Sequence, residues 1–168
     1  SFAIQELADI AAAHTGKKVS KTAVNSLVTS MENCSLWGRG TYIYDNNMPR
    51  PIDLLKKIAD YCCMQFARTN VPLVGAGGVY EVFSKPLQNT DVPNEQALYS
   101  LLRKHPDERL ELREYPWICC KETIRDRTTF AKYFYSVVEA NNGFISDAHA
   151  REVADKAMAQ SWALDGLS

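Results

Sequence analysis

The sequence has no surplus of positive charge. Its 19 Lys and Arg stand against 20 Asp and Glu, a formal net charge of −1 over 168 residues. Dedicated nucleic-acid binders usually carry a basic excess, because neutralising phosphates supplies much of their affinity. A nucleic-acid reading must therefore rest on local clustering. Histidine is scarce: His14, His105 and His149 lie far apart, each beside a helix-end or cap signal. The five cysteines, Cys34, Cys62, Cys63, Cys119 and Cys120, include no C-x-x-C, and no His spacing completes a zinc site. Adjacent cysteines bond to each other only with backbone strain. These lie in apolar patterns, which predicts buried, reduced thiols and a reducing cytoplasm. No apolar run approaches the roughly 18 residues of a membrane span, and no signal-peptide pattern is present. The glycines of Val74–Gly78 lack both the G-x-G-x-x-G spacing and the Gly-Lys-Ser/Thr ending of phosphate loops, and a tight turn explains them. No Ser-His-Asp, Cys-His or H-E-x-x-H spacing occurs. The expectation is a protein that is not an enzyme and uses no metal or cofactor.

What is present is a recurring order of elements. Phe2, Ile4, Leu7, Ile10 and Ala11 repeat at helical spacing and predict a helix over 2–14, stopped by Gly16. Ser20 is an N-cap for a second helix over 21–31, with Val24, Leu27, Val28 and Met31 inward. The runs "CSLW" and "TYIY", joined by "GRG", predict a hairpin. After the linker-like "DNNMPRP", a strong helix spans 52–68. "GVYEVFSKPL" reads as helix, and Asn94 caps "EQALYSLLRKH". "LELRE" and "WICC" are strand candidates. The last segment offers helices "TTFAKYFYSVVEA" and "AHAREVADKAMAQSWAL", with a short β-run "GFIS" between them. Ser146 or Asp147 caps the second of these helices. Tyr133, Phe134 and Tyr135 read as core or interface, with Trp162 a candidate partner. The predicted division is 1–47, 52–122 and 126–168.

Chemistry concentrates at Thr15 to Tyr44. A helix that rests in the major groove needs short polar side chains and positive charge at its start. Lys17, Lys18 and Lys21 can meet phosphates there, and Ser20, Thr22, Asn25 and Ser26 can reach base edges or sugar-phosphate. Asn25 and Ser26 lie about 100° apart on a helix, so at most one points deep into a groove. Arg39, between two glycines at the hairpin tip, suits a minor groove, whose potential attracts guanidinium. The alternative for the same residues is a capped, solvated helix start.

"VSKTAVNSLVTSM" followed by "LWGRGTYIY" resembles the recognition helix and wing of a winged helix-turn-helix domain. "NEQALYSLLRKHPDERLELREYPWI" is similar in organisation to the HARE-type winged helices and to the amino-terminal domain of the bacterial RNA polymerase delta subunit. The resemblance covers 20–44 and 94–118. It implies a fold that is mainly α with short β-hairpins, built from tandem winged-helix or helix-turn-helix units, with recognition helices at 21–31 and 94–105. The second departs from a DNA-binding pattern, since it starts with Glu95 and "DERLELRE" follows. Asn94, Gln96, Arg103 and Lys104 are its candidate contacts.

The expected function is duplex DNA binding as a targeting or regulatory module. The opening "SFAIQEL", which lacks an initiator Met and starts inside a helical pattern, suggests a fragment of a larger bacterial-type protein. The alternative is a protein–protein interaction module built from winged helices that makes no DNA contact, which the near-neutral charge suits.

Overall fold

The first helix starts later than its periodicity predicts, because the two residues before it are taken by a sheet. In a computed structural model that describes residues 1–158, Phe2–Ala3 form strand β1, and helix α1 runs Ile4–Thr15. Phe2 pairs with Tyr42 across the sheet. Gly16 then takes a left-handed conformation, φ 66°, and its N–H bonds back to Ala12, the usual way a glycine closes a helix. Helix α2, Lys21–Thr29, starts at the predicted cap, where the Ser20 hydroxyl accepts from Ala23 N at 3.1 Å. Strands β2, Cys34–Gly38, and β3, Thr41–Tyr44, form the predicted hairpin.

Helix α3, Ile52–Thr69, follows, then strand β4, Leu73–Gly75. "GVYEVFSKPL" is helical, as expected, but broken at Phe83 into α4, Ala76–Val82, and α5, Ser84–Gln88. Helix α6, Glu95–Lys104, starts at Asn94, whose Oδ1 accepts from Ala97 N at 2.9 Å. Strands β5, Leu110–Glu111, and β6, Trp117–Cys120, come next. A short helix α7, Lys121–Ile124, precedes α8, Phe130–Ala140, and α9, Asp147–Met158. Ser146 is the residue that caps α9, with its hydroxyl accepting from His149 N. The chain is thus mostly helical with two small antiparallel sheets, ordered β1-β3-β2 and β4-β6-β5.

The order of a strand, helices and two further strands occurs twice, with α1 and α2 as the helices of the first set and α4, α5 and α6 as those of the second, each time with the last strand in the middle of its sheet. Aligned at their caps, α2 and α6 carry Ala23 against Ala97, Ser26 against Ser100, and Leu27 against Leu101.

Period-two alternation gives each sheet two apolar faces. Leu36 and Tyr42 of the first sheet pack on Ile4, Ala8, Val24 and Val28 of α1 and α2. Trp37 and Ile43, on the other face, join the main core with Leu55, Ile58 and Cys62 of α3 and Ala97, Leu98 and Leu101 of α6. Val74 and Ile118 bring one face of the second sheet into that same core. Its other face, Leu73, Trp117 and Cys119, is covered by Phe130, Tyr133 and Ala157 of α8 and α9. The result is an alternation of helices, sheet, helices, sheet, helices. Residues on both sides of position 50 share that core, Trp37, Ile43 and Met48 before it and Leu55 and Ile58 after it.

Several expectations change. Val24 and Val28 are buried as predicted, whereas Ile10, Leu27 and Met31 are exposed. α2 ends at Thr29, and Met31 lies beyond it. "GFIS" forms no strand: Gly143 has φ 83° and Phe144 is exposed. Of the two readings of Tyr135, its exposure excludes the core. Trp162 lies outside the described residues. Two thiols, Cys62 and Cys119, are buried, while Cys34, Cys63 and Cys120 are half-buried. Burial pushes the Cys119 thiol up to about 12 and raises Cys62 further.

Two measurements test this packing. In a thiol-reagent titration of the folded chain, Cys34, Cys63 and Cys120 should react first, and Cys62 and Cys119 only on unfolding, because the thiolate is the reactive form. Asn94→Ala removes a cap and also the Nδ2 donor to Trp37 O at 3.0 Å. Urea unfolding should show a loss of about 2 kcal/mol, roughly 1 for each bond. Asn94→Ser, which can keep the cap alone, should recover about half.

Candidate nucleic-acid interface

The surface that gathers half of the predicted residues is built by three element starts. Gly40, with φ 67°, turns the hairpin back at its tip. Its carbonyl accepts from Ile4 N at 3.0 Å. This bond fixes the tip, and Arg39 with it, against the beginning of α1. On the other side Tyr42 Oη donates to Asn25 Oδ1 at 2.9 Å, tying β3 to the middle of α2. Between these ties lies an open cleft of about 500 Å3, bordered by Gln5, Lys21, Thr22, Asn25, Arg39 and Thr41.

Four of the eight predicted residues, Lys21, Thr22, Asn25 and Arg39, thus border one cleft. Their positions follow from helical spacing. Lys21, Thr22 and Asn25 occupy one arc of α2 that turns toward the hairpin, while Val24 and Val28 turn to the core. Lys17 and Lys18 are exposed on the turn between the helices but do not border the cleft. Ser20 spends its hydroxyl on the cap. Ser26 is exposed, about 100° around the helix from Asn25, and does not border the cleft either. Among the described residues, Lys17, Lys18, Lys21 and Arg39 have no carboxylate within 4.0 Å.

The arrangement offers donors rather than reactive groups. Arg39 and Lys21 supply charge from opposite walls. Asn25 has Oδ1 occupied by Tyr42, so its amide hydrogens are the group it can present. Gln5, missed by sequence reasoning, sits at the cleft with its Nε2 donating to Asp9 Oδ1 at 2.7 Å. Only the strand before α1, which pairs with β3, brings Gln5 there, and a two-residue strand leaves no periodic signal.

The second predicted helix is differently employed. Asn94 bridges its own cap and Trp37. Ser100 Oγ donates to Leu36 O at 2.6 Å, and Lys104 pairs with Asp45. The α6 surface expected at DNA lies largely against the first sheet; Arg103 remains exposed.

A larger cavity of about 750 Å3 lies elsewhere, among Cys63, Phe66, Pro72, Cys120 and Arg109. Arg109 is committed there to Asp107 and Asp60, both at 2.8 Å, and the walls are mainly apolar. Its size alone does not link it to the cleft's chemistry. Among the described residues no group of three or more His, Cys, Asp or Glu could hold a metal ion. No described helix is long and apolar enough to cross a membrane. No protein-family model, curated protein or solved structure matches the chain.

The tie across the cleft floor is directly testable. Tyr42→Phe should cost about 1 kcal/mol in urea unfolding. In a double-mutant cycle with Asn25→Ala the two losses should be non-additive by at least 0.5 kcal/mol, roughly the smallest coupling expected of residues in contact.

Proposed function

We propose that the chain is a tandem of winged-helix units whose first unit, residues 1–47, binds duplex DNA without catalysis. The single observation that supports this reading is the cleft in which Lys21, Thr22 and Asn25 of a helix start face Arg39 of a hairpin tip. Lys21 and Arg39 anchor phosphates on either side, Lys17 and Lys18 extend the charge along the turn, and Asn25 reaches toward a base edge or sugar. Phosphate contacts of this kind position a protein, and the few polar side chains between them supply selectivity. The unfavourable global charge is offset locally, because the first 50 residues carry five Lys and Arg against four Asp and Glu and four of those five cations lie on the turn, the α2 start and the hairpin tip. A role in targeting or regulation within a reducing cytoplasm accords with this reading and with the free thiols.

Fluorescence anisotropy of a labelled duplex against salt tests it. The logarithm of the binding constant should fall with the logarithm of salt concentration by roughly 0.9 for each phosphate neutralised, giving a slope near −3 to −4 for the four cations. Lys21→Glu combined with Arg39→Glu should lower affinity at least a hundredfold and flatten the slope. Binding indifferent to both changes would remove the cleft from the reading.

A second reading, a protein-interaction module, is favoured by the behaviour of α6. The helix that corresponds to α2 in the second set of elements packs against this chain's own first sheet.

A further inference from the structure

The contact between α6 and the first sheet is a template, and α2 carries three of its key residues uncovered among the described residues. In α6, Asn94 and Ser100 reach the carbonyls of Trp37 and Leu36 at 3.0 and 2.6 Å. Ala97 lies between them, and Ala97 and Leu101 are completely buried in the cluster that contains Trp37 and Ile43. The approach is close: a Cβ placed at Gly38 of the strand would stand 3.1 Å from Asn94 Nδ2. In α2 the corresponding positions are Ser20, Ala23, Ser26 and Leu27. Three of these four are the same residue as in α6. All four are exposed, and Leu27 is 65% exposed against 0% for Leu101. The neighbouring pair Val24 and Val28 is buried like Leu98 and Leu102, so the two helices sit on their own cores in the same orientation.

We infer that the Ala23–Ser26–Leu27 strip of α2 is a docking surface for the outer face of a three-stranded β-sheet from a further unit of this kind. The partner's chemistry follows from the template. It presents a buried aromatic and a β-branched residue, as Trp37 and Ile43 do, and a strand carbonyl that accepts from the Ser26 hydroxyl as Leu36 O accepts from Ser100. Leu27 and Ala23 supply the apolar contact, and the small size of Ala23 and Ser26 lets the helix approach the strands closely. Both sheets of this chain already have helices on each face, so a second copy in the same folded form does not offer such a face. The inference is independent of DNA binding, because Lys21 and Asn25 lie on the hairpin side of α2 and remain outside the strip.

A chain in which residues 1–50 are duplicated in tandem at the amino end supplies the missing sheet face as a defined probe. Hydrogen exchange of the α2 amides in the resident copy is compared with that in the unduplicated chain. Docking should slow that exchange at least tenfold. Leu27→Asp in the resident copy should return it to the original rate, and Ser26→Arg, which blocks the approach by size without touching the core, should do the same. Unchanged exchange in the duplicated chain, or slowing that survives both substitutions, overturns the inference. If Leu27→Asp unfolds the chain, the Ser26→Arg result decides.

Discussion

A three-stranded sheet with apolar side chains on both faces cannot stand at the edge of a molecule. The first sheet has Leu36 and Tyr42 on one side and Trp37 and Ile43 on the other, and burying each such side chain stabilises the fold by roughly 1.5–3 kcal/mol. Covering only one face would leave an aromatic and a branched side chain in water. Helices α1 and α2 cover one face, and α6 with its neighbours covers the other. The second sheet repeats the problem, with α8 and α9 on its far side. The alternating layers follow from this need rather than from any single strong contact.

The same constraint explains the division of labour between two similar helices. α6 places Ala97, Ser100 and Leu101 where the first sheet needs cover, which withdraws much of it from contact with an outside ligand. α2 is held by its own Val24 and Val28 and keeps its polar start open. Its environment differs because of what lies beside it, not because of a different local fold. Charge follows the same division. The α2 start carries Lys21, whereas the matching position of α6 is Glu95, which accepts from Tyr115 Oη at 3.4 Å.

Much of this was legible in the sequence. Caps at Ser20 and Asn94, the hairpin around Arg39, and the long helix from Ile52 are local features, governed by side-chain oxygens, glycine conformation and periodicity. The long-range matters were not legible. Leu27 has the spacing of a core residue and lies in water, since what covers its counterpart Leu101 comes from a different part of the chain. The β1 strand is two residues long and leaves no pattern, so neither the later start of α1 nor the placement of Gln5 could be read. The convergence of Lys21 with Arg39 depends on the bond from Ile4 N to Gly40 O, a tertiary contact 36 residues apart in sequence. The separation of Lys17 and Lys18 from that cleft likewise depends on how the turn after Gly16 is aimed.

That backbone bond has a mechanical consequence. It pins the hairpin tip to the first turn of α1, while the Tyr42 hydroxyl pins the strand behind it to α2. The tip is therefore not a free lever. Any tilt of the hairpin drags the start of α1 and the middle of α2 along, so the width of the gap between Arg39 and Lys21 is governed by one frame, and a force applied at the tip is felt at the root of α1.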